Sequence, residues 1–125
     1  AIGDAGLFIF PVDAADGTVM ALREMKSTID AWLASTGYPD TMTVCTVCGP
    51  VACGRVGPAG SQRFDVYGLT VNRASMMRAR DIGIDTALFD KLNPELQADF
   101  RLVDDARDDG REDGQYVADE PDETA

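Results

Sequence analysis

GPVACGRVGPAGSQRFDVYGLTVNRASM, residues 49–76, decides the fold. Gly49-Pro50 is a turn signal, and Val51, Ala52 and Cys53 after it begin an extended run. Gly54, Gly57, Pro58 and Gly60 interrupt any long regular element. Arg63 to Tyr67 then alternates, with Arg63, Asp65 and Tyr67 on one face of a strand and Phe64 and Val66 on the other. This pattern predicts that Phe64 and Val66 face a core and that Asp65 lies on the opposite side. After Gly68 the period lengthens. Thr70 to Arg80 reads as a helix that Thr70 can cap, with Val71, Ala74 and Ser75 forming a small-residue face. A carboxylate on a strand is thus followed by an amide, Asn72, in the first turn of a helix, where free N–H groups suit anions.

Upstream, Gly3-Asp4 reads as a tight turn and the run to Phe10 as a strand. Leu7 and Ile9 face one way, Phe8 and Phe10 the other, which predicts a central strand ended by Pro11. Asp13 to Ser35 reads as an amphipathic helix with Asp16 near its cap. Leu22, Met25, Ile29, Trp32 and Leu33 form its apolar stripe, and Arg23, Glu24, Lys26 and Asp30 lie mainly outside that stripe. Gly37 and Pro39 stop it. Met42 to Cys48 reads as a strand paired with Val51 to Val56 through the Gly49-Pro50 turn. Downstream, Ile82 to Ile84 reads as a minor strand. Asp85 caps a helix carrying Leu88, Phe89 and Leu92, and Asn93-Pro94 opens a short one. Leu96, Phe100, Leu102 and Val103 complete the expected core. The order strand, helix, hairpin, strand, helix, helix predicts an α+β, ferredoxin-like βαββαβ sandwich whose first strand and helix precede residue 1.

At 125 residues the chain is expected to hold one domain, with a core large enough to need neither disulfide nor metal. Its net charge of −11 is uneven. Residues 104–125 hold ten Asp or Glu against two Arg, so the body at 1–103 is close to balanced. The tail has almost no large apolar residues and is expected to be disordered. The absence of a basic patch argues against nucleic-acid binding, and the acidity argues against contact with anionic lipid. No stretch is long and apolar enough to span a membrane. No His is present, which removes Ser-His-Asp and Cys-His nucleophile systems and His metal sites. Three Cys, an odd number, suggest a reducing, cytoplasmic compartment. Cys45 and Cys48 are three apart on a strand and face opposite sides, so they cannot chelate together. Small buried strand residues are the preferred reading for them.

Gly49-Pro50-Val51, Gly54-x-x-Gly57, Phe64-Asp65-Val66-Tyr67-Gly68 and Thr70-Val71-Asn72-x-Ala74-Ser75, in that order, resemble the catalytic domain of class III nucleotidyl cyclases. Ile2-Gly3-Asp4-Ala5 resembles a second motif of that family, at a fitting distance. The resemblance runs from residue 1 to about residue 103. It implies the ferredoxin-like fold and a reaction in which the 3′-hydroxyl of ATP attacks the α-phosphate, giving cyclic AMP and pyrophosphate with two divalent metals, Mg²⁺ or Mn²⁺. It implies Asp4 as a metal carboxylate, Asp65 as the acceptor for the adenine amino group, and Asn72 as the catalytic amide that orients the ribose. It also implies a homodimer or paired domain in which Asp4 of one copy faces Asp65 and Asn72 of the other.

Each residue also has a plainer reading. Gly-Asp is common in turns, a strand face often carries a carboxylate, and Asn72 fits an ordinary first helical turn. The sequence departs from the family pattern at Met76, where active members carry an Arg for the charge on the α-phosphate. Arg73 and Arg80 lie near the same helical face. A second departure is the family's late phosphate-binding Lys, since the region after Phe100 offers Arg101, Arg107 and Arg111 outside any matching motif. Two alternatives therefore stand beside a weak adenylate cyclase. One is a degenerate cyclase domain that binds nucleotide or dimerises as a regulatory module. The other is an unrelated ferredoxin-like interaction module.

Overall fold

The computed structural model describes residues 5–77, 81–104 and 115–118. A short 3₁₀ turn at Val12–Ala14 leads into α1 (Ala15–Ser35), the longest element. Strand β1 (Val44–Thr46) follows, then β2 (Ala52–Val56), β3 (Arg63–Tyr67), α2 (Leu69–Met76) and β4 (Ile82–Asp85). Two single-turn helices, α3 (Thr86–Phe89) and α4 (Pro94–Gln97), precede β5 (Phe100–Asp104) and β6 (Gln115–Ala118).

The molecule is α+β, with a mixed four-stranded sheet in the order β1-β4-β6-β5. β1 runs parallel to β4, with Val44 opposite Ile82 and Thr46 opposite Ile84. β6 is antiparallel to both β4 and β5. β2 and β3 form a separate antiparallel ribbon, with Gly54 opposite Asp65. β4 is buried at all four positions, as expected of a strand covered on both faces. Ile84 is fully enclosed. Ala15, Val19 and Leu22 of α1 join Val44, Ile82, Ile84, Leu88, Leu92, Phe100 and Ala118 in the core.

Several local signals act as the residues dictate. Asp85 caps α3 by accepting from the Leu88 N–H at 2.9 Å. Asn93 caps α4 by accepting from the Leu96 N–H at 2.8 Å, with Pro94 at the first helical position. Gly37 takes a positive φ of 78° just past α1 and ends it.

Other expectations are corrected. Met42–Cys48 does not pair with Val51–Val56: β1 joins β4, and β2 pairs with β3. The Gly57 and Gly60 backbones, at φ 126° and 84°, turn the chain tightly enough for β2 to meet β3. Ile82–Asp85 is an interior strand rather than a minor one. The run ending at Phe10 forms no strand among the described residues beyond an isolated bridge at Ala5, and Leu7 to Phe10 are exposed. Phe64 is 61% exposed instead of facing a core. α1 begins at Ala15 without a side-chain cap, and Asp16 accepts instead from the Asn93 N–H at 2.9 Å, joining α1 to the start of α4. Within the expected disordered tail, Gln115–Ala118 forms β6. Ala118 is buried, and Tyr116 stacks on Phe89 with ring centroids 3.9 Å apart, an apolar return that offsets the ordering cost of a short strand.

Lys26 reverses the expected polar face of α1. Its side chain is 10% exposed and lies between Asp30 at 2.6 Å and Asp81 at 3.1 Å. It also donates to the Met42 carbonyl at 2.7 Å, while Asp30 accepts from the Met42 N–H at 2.6 Å. One lysine and one aspartate thus hold both polar groups of a residue just before β1, and the ion pair crosses from α1 to the start of β4. Burial disfavours the Lys26 charge, but the hydrogen bonds to Asp30 and Asp81 and their charges outweigh it and raise its pKa. Burial also works against the Asp30 carboxylate, and the Lys26 and Met42 hydrogen bonds reverse that and lower its pKa.

Candidate functional site

β3, Gly68 and α2 carry the candidate nucleotide residues on one continuous piece of chain. Gly68 has φ 136° and ψ 171°, a conformation that L side chains rarely adopt, and it bends the chain from strand into helix. Thr70, buried at the start of α2, does not cap the helix. Its hydroxyl donates to the Pro50 carbonyl at 2.6 Å and ties α2 to the segment before β2. That contact explains Gly49: a Cβ there would lie 2.6 Å from the Thr70 hydroxyl. The Gly49-Pro50 pair therefore makes room for a helix tether and turns no hairpin.

Asp65 is half-buried on β3. Its carboxylate accepts from its neighbour's N–H, Val66, at 2.8 Å and from the Tyr67 hydroxyl at 2.9 Å. The Val66 N–H, then the Tyr67 hydroxyl and the Arg63 charge, hold Asp65 below the usual carboxylate range against partial desolvation. The same bond to Asp65 pushes the Tyr67 phenol up, with desolvation and the Asp65 charge adding to it and the Arg63 charge opposing it. Asp65 is thus an ionised, acceptor-only group with a fixed orientation near neutral pH.

Asn72 is exposed on α2, and its backbone N–H donates to the Gly68 carbonyl at 3.2 Å, so the helix starts directly from the bend. Met76, at the end of the helix, is 55% exposed and offers no N–H donor in its side chain. Arg73 is tied to Asp85, donating through Nη2 to Oδ2 at 2.8 Å. The Asp85 side chain is 4% exposed and also accepts from the Cys48 N–H at 3.2 and 3.3 Å. Sequence reasoning identified Asp85 as a cap and did not detect its link to Arg73. A carboxylate at a strand end, twelve residues after a helical Arg, was the available signal.

Asp4, the expected metal carboxylate, and Arg80 lie outside the described residues, as do Arg107 and Arg111. Among the described residues, no three Asp, Glu or Cys side chains converge closely enough to hold a cation. The described residues by themselves therefore do not make a divalent-metal site. No disulfide joins the three cysteines; Cys45 and Cys48 are half-buried and Cys53 is exposed. Among the described residues no helix is long and apolar enough to cross a membrane.

A family model described as the adenylate and guanylate cyclase catalytic domain matches residues 9–106, which include β3, α2 and the Arg73–Asp85 link. The chain belongs to that family. Comparison with curated proteins and with solved structures gave no match.

Proposed function

From this membership we propose that the chain is an adenylate cyclase domain of low turnover, converting ATP to cyclic AMP and pyrophosphate. The observation that carries the reading is Asp65: a carboxylate kept ionised and oriented by Val66 and Tyr67, on the strand that leads through Gly68 into the helix of Asn72. An acceptor-only group suits the adenine amino group. The Asn72 amide, with one donor and one acceptor end, suits a ribose held near its reacting phosphate. In the reaction a bond forms from the 3′-oxygen to the α-phosphorus, the bond from that phosphorus to the bridging oxygen breaks, and the hydroxyl proton is lost. Mg²⁺ or Mn²⁺, when bound, neutralises phosphate charge, and Asp4 is the proposed carboxylate for it together with groups other than those described. The ferredoxin-like arrangement of the family, a cytoplasmic location and a homodimer belong to the same proposal. The exposed apolar side chains Leu7, Phe8, Phe64 and Leu69 leave apolar surface that a second copy could cover.

Met76 and the Arg73–Asp85 pair favour a second reading. With Met at 76 and Arg73 engaged 2.8 Å from a buried carboxylate, α2 supports a domain that binds nucleotide and regulates without turnover. Titration with non-hydrolysable ATP and GTP analogues tests what both readings share. We expect preference for the ATP analogue and its loss in Asp65→Ala. Equal affinities in the unaltered protein would remove Asp65 from its role. Cyclic AMP production then separates the readings.

A further inference from the structure

α2 is an eight-residue helix with a single buried side chain, Thr70, so apolar packing alone anchors it weakly. Polar links hold it instead. Thr70 reaches the Pro50 carbonyl at 2.6 Å, Arg73 reaches Asp85 at 2.8 Å, and the Cys45 thiol meets the Met77 carbonyl at 3.7 Å beyond the helix end. Asp85 is a rigid reference point. It ends the wholly buried β4, and its carboxylate is already fixed by the N–H groups of Leu88 and Cys48. Successive residues on an α-helix are rotated by about 100°. Thr70 and Arg73 therefore lie close together around the axis, and Asn72 points well away from both. Fixing residues 70 and 73 against the body fixes the direction of Asn72.

We propose that Arg73 and Asp85 are a positioning pair that sets the roll of α2 and so aims Asn72 at the nucleotide. The inference rests on the nucleotide reading for its consequence, while the tether itself stands on the geometry of α2 and β4. Neither residue touches substrate in this account. Both act through Asn72. An Arg at position 73 suits the task because its planar fork holds a carboxylate in a defined direction, which a lysine does less well.

The test uses the full chain with Arg73→Met, which keeps a good helix former and removes the charge. Asp85→Asn serves as the second variant, because its side-chain oxygen can still cap α3. Amide hydrogen exchange of the nucleotide-free protein is read first. Amides 72–77 should exchange about tenfold faster in either variant, as expected for the loss of a charge-assisted hydrogen bond, while amides 82–85 stay protected in Arg73→Met. Unchanged exchange in α2 overturns the proposal. Titration with the ATP analogue follows. Arg73→Met should weaken binding about tenfold in the unaltered background and have no further effect on Asn72→Ala, because coupled residues are non-additive. Equal weakening in both backgrounds overturns the role through Asn72. Protein that binds no analogue while α2 exchange rises as expected overturns the nucleotide reading and leaves the tether in place.

Discussion

The Tyr67 hydroxyl donates to the Asp65 carboxylate at 2.9 Å, across the two-residue repeat of one strand face. A strand places residues two apart on the same side, so the phenol and the carboxylate meet without help from another element. The bond removes one degree of freedom from Asp65 and favours its ionised form. It follows that the contribution of Asp65 to ATP-analogue binding, read as the difference from Asp65→Ala, should be constant through neutrality and decline only in acid, as Asp65 takes up a proton below the usual carboxylate range. Tyr67→Phe should move that decline to higher pH and weaken binding several-fold at neutrality, about the effect of one hydrogen bond to a charged group. Affinity titrations across pH on both proteins give the comparison. An identical acid limb in Tyr67→Phe would separate the phenol from the role of Asp65.

The Lys26 cluster makes a prediction about stability. Lys26→Met leaves Asp30 and Asp81 facing each other with their cation gone and should cost about 3 kcal/mol, toward the lower end for a broken buried pair because both carboxylates keep some contact with water. The pH signs differ at the two ends. Asp30 has a lowered pKa, so its contribution is complete above the ordinary carboxylate range and is lost as pH falls through the lowered value. Lys26 has a raised pKa, so its contribution is complete below the ordinary lysine range and is lost as pH rises through the raised value. Denaturant melts across pH should show a plateau between these limits in the unaltered protein. Lys26→Met should lack the alkaline loss assigned to the amine.

Strand β6 bears on truncation. Ending the chain at residue 104 removes Tyr116 from Phe89, exposes the β4 edge at Gly83 and Ile84, and leaves β5 without its partner. The melting temperature should fall by about 10 °C or more, since each kcal/mol lost moves a domain of this size by several degrees. A truncated protein that melts with the full chain would show that β6 adds nothing to the fold.

Gly49→Ala should displace Thr70 from Pro50. The Cβ would meet a buried, hydrogen-bonded, β-branched side chain at 2.6 Å, which has little room to turn. The expected cost is about 1–2 kcal/mol, typical of a small overpacking error, with weaker analogue binding through a shifted α2. Thermal melts and titration of Gly49→Ala beside Gly54→Ala, where a Cβ would meet nothing within 4 Å, separate crowding from a general effect on the strand.

Much of the local structure could be read from residue order. Asp85 and Asn93 announce their caps because capping needs only a polar side chain three residues before a free N–H. The strand Arg63–Tyr67, the glycine bend and the helix around Asn72 follow from a change in period. The candidate site lies on this short continuous piece, which is why its motifs were visible. What escaped depends on distant partners. Gly49-Pro50 reads as a hairpin turn until the Thr70 hydroxyl is seen in the space that a side chain would fill. Lys26 reads as surface because its carboxylate at Asp81 is far along the chain. Tyr116 and Val117 are lost in an acidic run, since four residues cannot raise the apolar content of the whole tail. Asp4 lies outside the described residues, and its place among the metal groups of the family stays a proposal.

That Met76 is what weakens a cyclase site is tested by cyclic AMP turnover in the unaltered protein and in Met76→Arg. Arg supplies a permanent cation with a fork of donors, where charge grows on the α-phosphoryl oxygens as the 3′-oxygen attacks. The Arg73 guanidinium is engaged by Asp85 at 2.8 Å. The initial rate should be low, with a gain on the order of 10²-fold in Met76→Arg, in kcat more than in KM, because the missing donor acts on the transition state. Ordinary cyclase turnover in the unaltered protein, or a folded Met76→Arg protein that binds ATP and gains nothing, would contradict it.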